Sequence, residues 1–216
     1  MKKVLLGLMA LSALSAVSFA AQGDTYLNAR FGGDFGAKYD DYSNGGVTWL
    51  GDKTDGFGGE LALEGYKSLT DNFDLGLGLA YQFHADRDTQ DVNVNGYQYE
   101  TSGVEYDSIP VYLIAKYNFN LNSEIKPYLK ANFGYSFNFN PSDYEEKRDG
   151  VSDKDKMNVD DGLYGALGGG LEYMNFTVDL MYAITKAGSG WKKDYGWKKD
   201  NDYERFVLSA GYRFDL

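Results

Sequence analysis

The sequence predicts an all-β fold: an eight-stranded antiparallel up-and-down barrel that crosses a membrane. Three observations predict it. Eight segments carry apolar residues on every second position, their connections alternate between short and long, and aromatic residues gather at both ends of the apolar face. The 216 residues suffice for one such barrel. With 19 Tyr, 13 Phe, 27 Gly and only 3 Pro, the composition favours strands joined by turns. The mean hydropathy of -0.46 leaves no room for a bundle of apolar helices.

The elements follow in order. Lys2 and Lys3 precede an apolar run from Val4 to Leu14, and Ser18-Phe19-Ala20 supplies the small residues a signal peptidase reads. Residues 1–20 are therefore expected to be a cleaved secretory signal peptide and 21–216 the barrel domain. The run is shorter than the roughly 20 residues a membrane anchor needs. In the first strand Leu27, Ala29, Phe31, Gly33, Phe35 and Ala37 alternate with Asn28, Arg30, Gly32, Asp34, Gly36 and Lys38. The same alternation marks Phe57 to Leu63, Phe73 to Phe83, Ile109 to Phe119, Ile125 to Phe139, Leu163 to Tyr173, Phe176 to Ile184 and Phe206 to Leu216.

Short connections fall at 68–72, 120–124 and 174–175, and long charged ones at 39–56, 86–107, 141–161 and 186–204. Short periplasmic turns opposite four long extracellular loops put both termini on the periplasmic side. Phe73, Tyr117, Phe119, Tyr173, Phe176, Tyr212 and Phe214 lie near the turns. Phe35, Phe57, Tyr81, Phe83, Phe137, Phe139, Tyr182 and Phe206 lie near the loops. A soluble sandwich or lipocalin-like barrel would also alternate, but two aromatic belts around a Leu, Val and Ala band suit a bilayer with two interfaces.

The charge excludes one class of partner. Without Lys2 and Lys3 the chain keeps 19 basic against 32 acidic side chains, a net -13, which is wrong for a nucleic-acid binder. The absence of cysteine excludes disulfides and thiolate metal sites. Inside the barrel the alternation places Arg30, Lys116, Lys126, Lys130, Arg205 and Arg213 with Asp34, Glu60, Glu64, Asp74, Glu172 and Asp179. Six bases facing six acids in a narrow interior predict an ion-pair network that plugs the lumen, since unpaired charges there are costly. A gated ion path is the alternative.

No catalytic constellation emerges. Glu60 and Glu64 share a face but have cations to neutralise them, and His84, the only histidine, reads as a lone interfacial residue. Asp91-Val-Asn93-Val-Asn95-Gly96 begins like an EF-hand loop, yet the twelfth position is Ser102, and Asn95-Gly96 is a hairpin signal pairing Val94 with Tyr97. Gly76, Gly78 and the run Gly165 to Gly170 sit inside strands with no following helix, so they do not form phosphate loops. Neither cofactor nor metal is expected.

The segments IPVYLIAKYNF (109–119) and KPYLKANFGYSF (126–137) and the ending AGYRFDL resemble small outer-membrane proteins of the OmpA-like, OmpX and opacity type. The resemblance covers the whole mature chain. It implies residence in the Gram-negative outer membrane among lipid and lipopolysaccharide, and assembly by machinery that reads an aromatic closing residue of the last strand. Here Phe214 is third from the end and Leu216 last. Long loops on a rigid barrel are where recognition would live, so the expected function is envelope structure and adhesion, through loops that meet a host or surface ligand. The alternative is a small pore or an OmpW-like transporter. The loops carry -3, -5, -4 and +1 in chain order. The cationic fourth loop holds a tandem repeat, Gly190-Trp191-Lys192-Lys193-Asp194 and Gly196-Trp197-Lys198-Lys199-Asp200. Two readings stay open: a tandem duplication in a tolerant, solvated loop with no specific ligand, or Trp191, Trp197 and the four lysines settling at the interface against lipopolysaccharide phosphates.

Overall fold

The computed structural model describes residues 23–191 and 198–216. The signal-peptide expectation, at 1–20, lies outside them. Eight strands form a closed barrel: β1 (Thr25–Tyr39), β2 (Gly59–Thr70), β3 (Phe73–Phe83), β4 (Asp107–Asn118), β5 (Ile125–Phe139), β6 (Gly162–Tyr173), β7 (Phe176–Thr185) and β8 (Tyr203–Asp215). Each pairs antiparallel with its sequence neighbour, and β8 returns to β1 to close the ring. A 12-residue strand rises about 40 Å along its own axis and, tilted by about 40°, about 30 Å across the bilayer.

The pleat sorts the sequence as its alternation requires. Leu113, Phe133 and Leu167 are each more than 60% exposed at mid-strand, while their neighbours Tyr112, Asn132 and Ala166 are buried. So much apolar surface at mid-strand is stable only against lipid, because water would make each such side chain a cost. The aromatic belts meet in pairs along the rims, Phe35 with Phe206 and Tyr182 with Phe206 at the loop end and Phe176 with Tyr212 at the turn end. One irregularity bends the wall: the β1–β8 register shifts between Phe35 and Lys38. There Gly36 has φ 59°, a left-handed conformation that glycine adopts without steric cost.

The loops are more ordered than their polar composition predicts. Gln90–Val94 and Tyr97–Ser102 form a hairpin about Asn95-Gly96, with Val94 opposite Tyr97 and Val92 opposite Tyr99. The third-loop hairpin of Tyr144–Arg148 and Val151–Asp155 pairs with it, making a four-stranded sheet apart from the barrel. Met157–Val159 of the third loop joins Gly188–Trp191 of the fourth, and Thr54–Asp55 of the first joins Asp86–Arg87 of the second. Every long loop is thereby bound to another.

Candidate functional site: the barrel interior and its extracellular cap

The alternation of β1, β2, β5, β7 and β8 aims charged side chains at one another across the lumen. Glu64 sits at the centre, 0% exposed, and accepts from Arg30 Nε at 3.0 Å, Lys130 Nζ at 2.7 Å, the Tyr66 hydroxyl at 2.7 Å and the Tyr112 hydroxyl at 2.9 Å. Toward the loops, Arg30 Nη1 reaches Glu60 at 2.7 Å, and Arg205 lies 3.3 Å from both Glu60 and Asp34. Lys130 lies 4.0 Å from Asp179, which also accepts from the Tyr128 hydroxyl at 2.8 Å. Four bonds to one carboxylate illustrate how a poorly hydrated interior can hold charge: every lone pair has a donor.

A second cluster lies at the periplasmic end. Glu172 bridges Lys116 and Arg213, each at 3.1 Å, and Arg213 stacks 3.8 Å over the Tyr26 ring. Asp74 has neutral donors, the Tyr26 hydroxyl at 2.7 Å and Asn118 at 2.8 Å. Lys126 departs from the expected pattern. It is exposed at the periplasmic rim and lines a polar mouth with Asp24, Asp71 and Glu172, because β5 begins at Ile125 and its first residues rise clear of the packed interior. Eleven of the twelve charged residues assigned to the lumen by alternation thus meet partners there.

The sequence reading overlooked the tyrosines as donors. Alternation alone marks charges for the lumen and assigns no role to its tyrosines, yet hydroxyls of Tyr26, Tyr66, Tyr112 and Tyr128 bind lumen carboxylates. The signal was present, since each falls on the inward phase of its strand. Glycine makes room for the rings. A Cβ on Gly78 would lie 2.2 Å from the Tyr112 ring. Gly78→Ala should therefore push that ring off Glu64 and lower stability by about 1–3 kcal/mol, the usual cost of overpacking. Urea unfolding in lipid vesicles checks this, and wild-type stability would refute it.

Above the membrane a cap covers the lumen. Tyr39, Tyr106 and Tyr203 are buried together with Ala187, and the rings of Tyr39 and Tyr203 lie 4.8 Å apart. Arg87 of the second loop binds the carbonyls of Asp40 and Gly51 in the first loop and Asn201 Oδ1 in the fourth. Asn201 in turn donates to Val104 O and Ser189 Oγ, each at 2.8 Å. Burial lowers the pKa of the Arg87 guanidinium, and its 4.6 Å approach to the Tyr39 ring offers a partial counterweight. None of these residues was singled out as a site in the sequence.

The tandem repeat is only partly described: Lys192, Lys193 and Trp197 lie outside the described residues. Trp191 does not settle at the bilayer interface. It packs against the buried cluster of Leu50, Val104 and Met157, because Gly188–Trp191 is a strand paired inward with Met157–Val159. Lys198 pairs with Asp160 at 2.6 Å, and Lys199 lies 5.9 Å from the centre of the Tyr42 ring. Both lysines therefore have neighbours within the loop cluster. His84 is not at the lipid interface either, being buried inside the mouth against Tyr106 and Tyr203.

A lipid-facing apolar band, a charged interior with its partners in place and loops joined above one rim define a small outer-membrane barrel. The chain belongs to the outer membrane protein beta-barrel domain family, which matches residues 6–214. It is 28% identical over 239 residues to an uncharacterized protein of Pasteurella multocida (strain Pm70), covering 99% of this chain and 98% of that one. Among solved structures it is similar to the outer membrane protein OprG from Pseudomonas aeruginosa, with TM-score 0.54, 20% identity, and 90% and 97% of the two chains covered. The outer membrane protein AlkL gives TM-score 0.50 and 16% identity, with 92% and 93% covered. These likenesses show the fold, and the family match agrees with an outer-membrane location.

Proposed function

We propose that this protein is a closed, non-catalytic barrel of the outer membrane whose work is done by its loops: it contributes to envelope structure and presents a structured surface for contact and adhesion. One observation carries the reading. Glu64, Asp179 and Arg205, which project into the lumen from three different strands, are each 0% exposed, so no water-sized space touches them. A pore or a carrier of small molecules needs a continuous path past those side chains. Support for the second half comes from the sheet that the second and third loops build, since order in a surface loop costs entropy that a mere connection need not spend. Delivery by a cleaved signal peptide and folding through machinery that reads the last strand are part of this proposal.

Purified protein in planar bilayers should show no steady conductance at neutral pH, and reproducible unitary currents would overturn the closed-lumen reading. Replacing residues 90–102 by a short Gly-Ser turn should leave the barrel heat-modifiable on a gel while lowering cell attachment severalfold. Unchanged attachment would remove the surface role from these loops.

A further inference from the structure

His84 stands one residue beyond the membrane-spanning β3, and its ring is stacked 4.0 Å from Tyr203 at 16° and edge-on to Tyr106 at 4.8 Å. These rings tie the cap together. The Tyr106 hydroxyl is within hydrogen-bond distance of the Thr185 carbonyl at 3.2 Å and of the Asn201 carbonyl at 3.0 Å, joining β7 to the fourth loop. The Tyr203 hydroxyl reaches Asp34 Oδ2 at 3.2 Å and accepts from the Ala85 amide at 3.1 Å, while the Tyr39 hydroxyl donates to the Ala85 carbonyl. His84 is only 7% exposed and neither of its ring nitrogens has a hydrogen-bond partner. We propose that this stack is an acid-labile closure of the extracellular mouth, in which protonation of His84 separates the rings and frees the loops they hold.

The surroundings give a protonated ring nothing to bind. From β8 it faces Tyr203 and Arg205, and from the segment entering β4 it faces Tyr106. Tyr39 of β1 packs against both tyrosines, with Arg87 of the second loop over its ring. The carboxylates of the region have other partners: Asp34 of β1 meets Arg205 and Tyr203, Asp202 of the fourth loop meets Lys186 and the Ala187 amide, and Glu105 meets Ser142 and the Arg87 amide. Burial first, and the Arg205 charge second, hold His84 well below its usual range.

The sign follows from that depression. In an opened cap the imidazole regains an ordinary pKa of about 6.5, so closure is favoured above that pH and weakens as pH falls below it. While the closed form stays neutral, linkage raises the open-to-closed ratio by about 30-fold between pH 7.5 and pH 5.0. The closed lumen below is a separate matter, because Glu60, Glu64 and Arg205 do not depend on the loops for their ion pairs.

Limited proteolysis of the loops, with the full-length protein in lipid nanodiscs, reads the opening directly. A pH-tolerant protease, normalised at each pH on an unfolded substrate, should cut the wild type roughly 30-fold faster at pH 5.0 than at pH 7.5. The barrel should remain heat-modifiable on a gel at both. His84→Phe keeps a flat ring that cannot protonate, and His84→Gln keeps a neutral polar group. Both should lose most of the acid response, and Asp40 cannot replace it, because burial raises its pKa and so favours the closed cap as pH falls. A wild-type rate that ignores pH, or a rise of the same size in both variants, overturns the proposal.

Discussion

Glu64→Leu should cost the barrel about 5 kcal/mol of stability, and Glu64→Gln about 3 kcal/mol, at the scale found when one partner of a buried ion pair is removed. The carboxylate receives Arg30, Lys130, Tyr66 and Tyr112 together, so leucine leaves two cations and two hydroxyls without their acceptor in a space water does not reach. Arg30 retains Glu60 at 2.7 Å, but Lys130 retains only Asp179 at 4.0 Å, so the lysine bears most of the loss. Glutamine keeps the shape and one acceptor oxygen while removing the charge, hence its smaller effect. Urea titration in vesicles, followed by the gel shift between folded and unfolded bands, measures both. Adding Lys130→Met to Glu64→Leu should recover part of the loss, because the stranded cation goes with it. The exposed pair Lys147–Glu100 at 3.0 Å supplies the contrast, and Lys147→Ala should change unfolding by nothing measurable. A Glu64→Leu barrel as stable as the wild type would show that the interior is hydrated enough to screen its charges.

The strands and the interior charges were legible because a membrane barrel writes both of its surfaces into every second residue. Leu113 faces lipid and Tyr112 faces the lumen for the same reason, the pleat, and no distant contact is needed to tell them apart. Lys126 was misjudged because alternation gives the face of a residue and not its height: at the second position of β5 it is inward by phase yet beyond the packed interior. The cap was illegible for a different reason. Arg87 meets Gly51 and Asn201, 36 and 114 residues away, and nothing local distinguishes it from other charged loop residues. Trp191 misled in the same way, because an aromatic beside lysines fits a membrane interface until strand pairing with Met157 turns it inward.

Arg87→Ala should release the loops without unfolding the barrel. Arg87 is 5% exposed and binds two part-buried carbonyls of the first loop and one buried amide oxygen of the fourth, so alanine takes the guanidinium donor from three acceptors. At about 1 kcal/mol for each, the lower end of the usual cost, local stability falls by about 3 kcal/mol. That corresponds to about a hundredfold more open cap at equilibrium. Lysine should not rescue it. One ammonium has the charge but lacks the planar fork that spans Asp40, Gly51 and Asn201 at once, so Arg87→Lys should behave nearer to alanine than to arginine. Asn201→Ala attacks the same junction from the fourth loop and should loosen that loop also at Val104 and Ser189, to which Asn201 donates. Amide hydrogen exchange distinguishes the two. Arg87→Ala should speed exchange mainly across Asp40 to Gly51, and Asn201→Ala mainly across Ser189 and the segment before β4. The strands β1 to β8 should stay protected in both, because their ladders close around the barrel independently of the loops. Exchange in Arg87→Ala that matched the wild type across the first loop would mean that the paired loop strands hold the cap by themselves, with Arg87 merely resting among them.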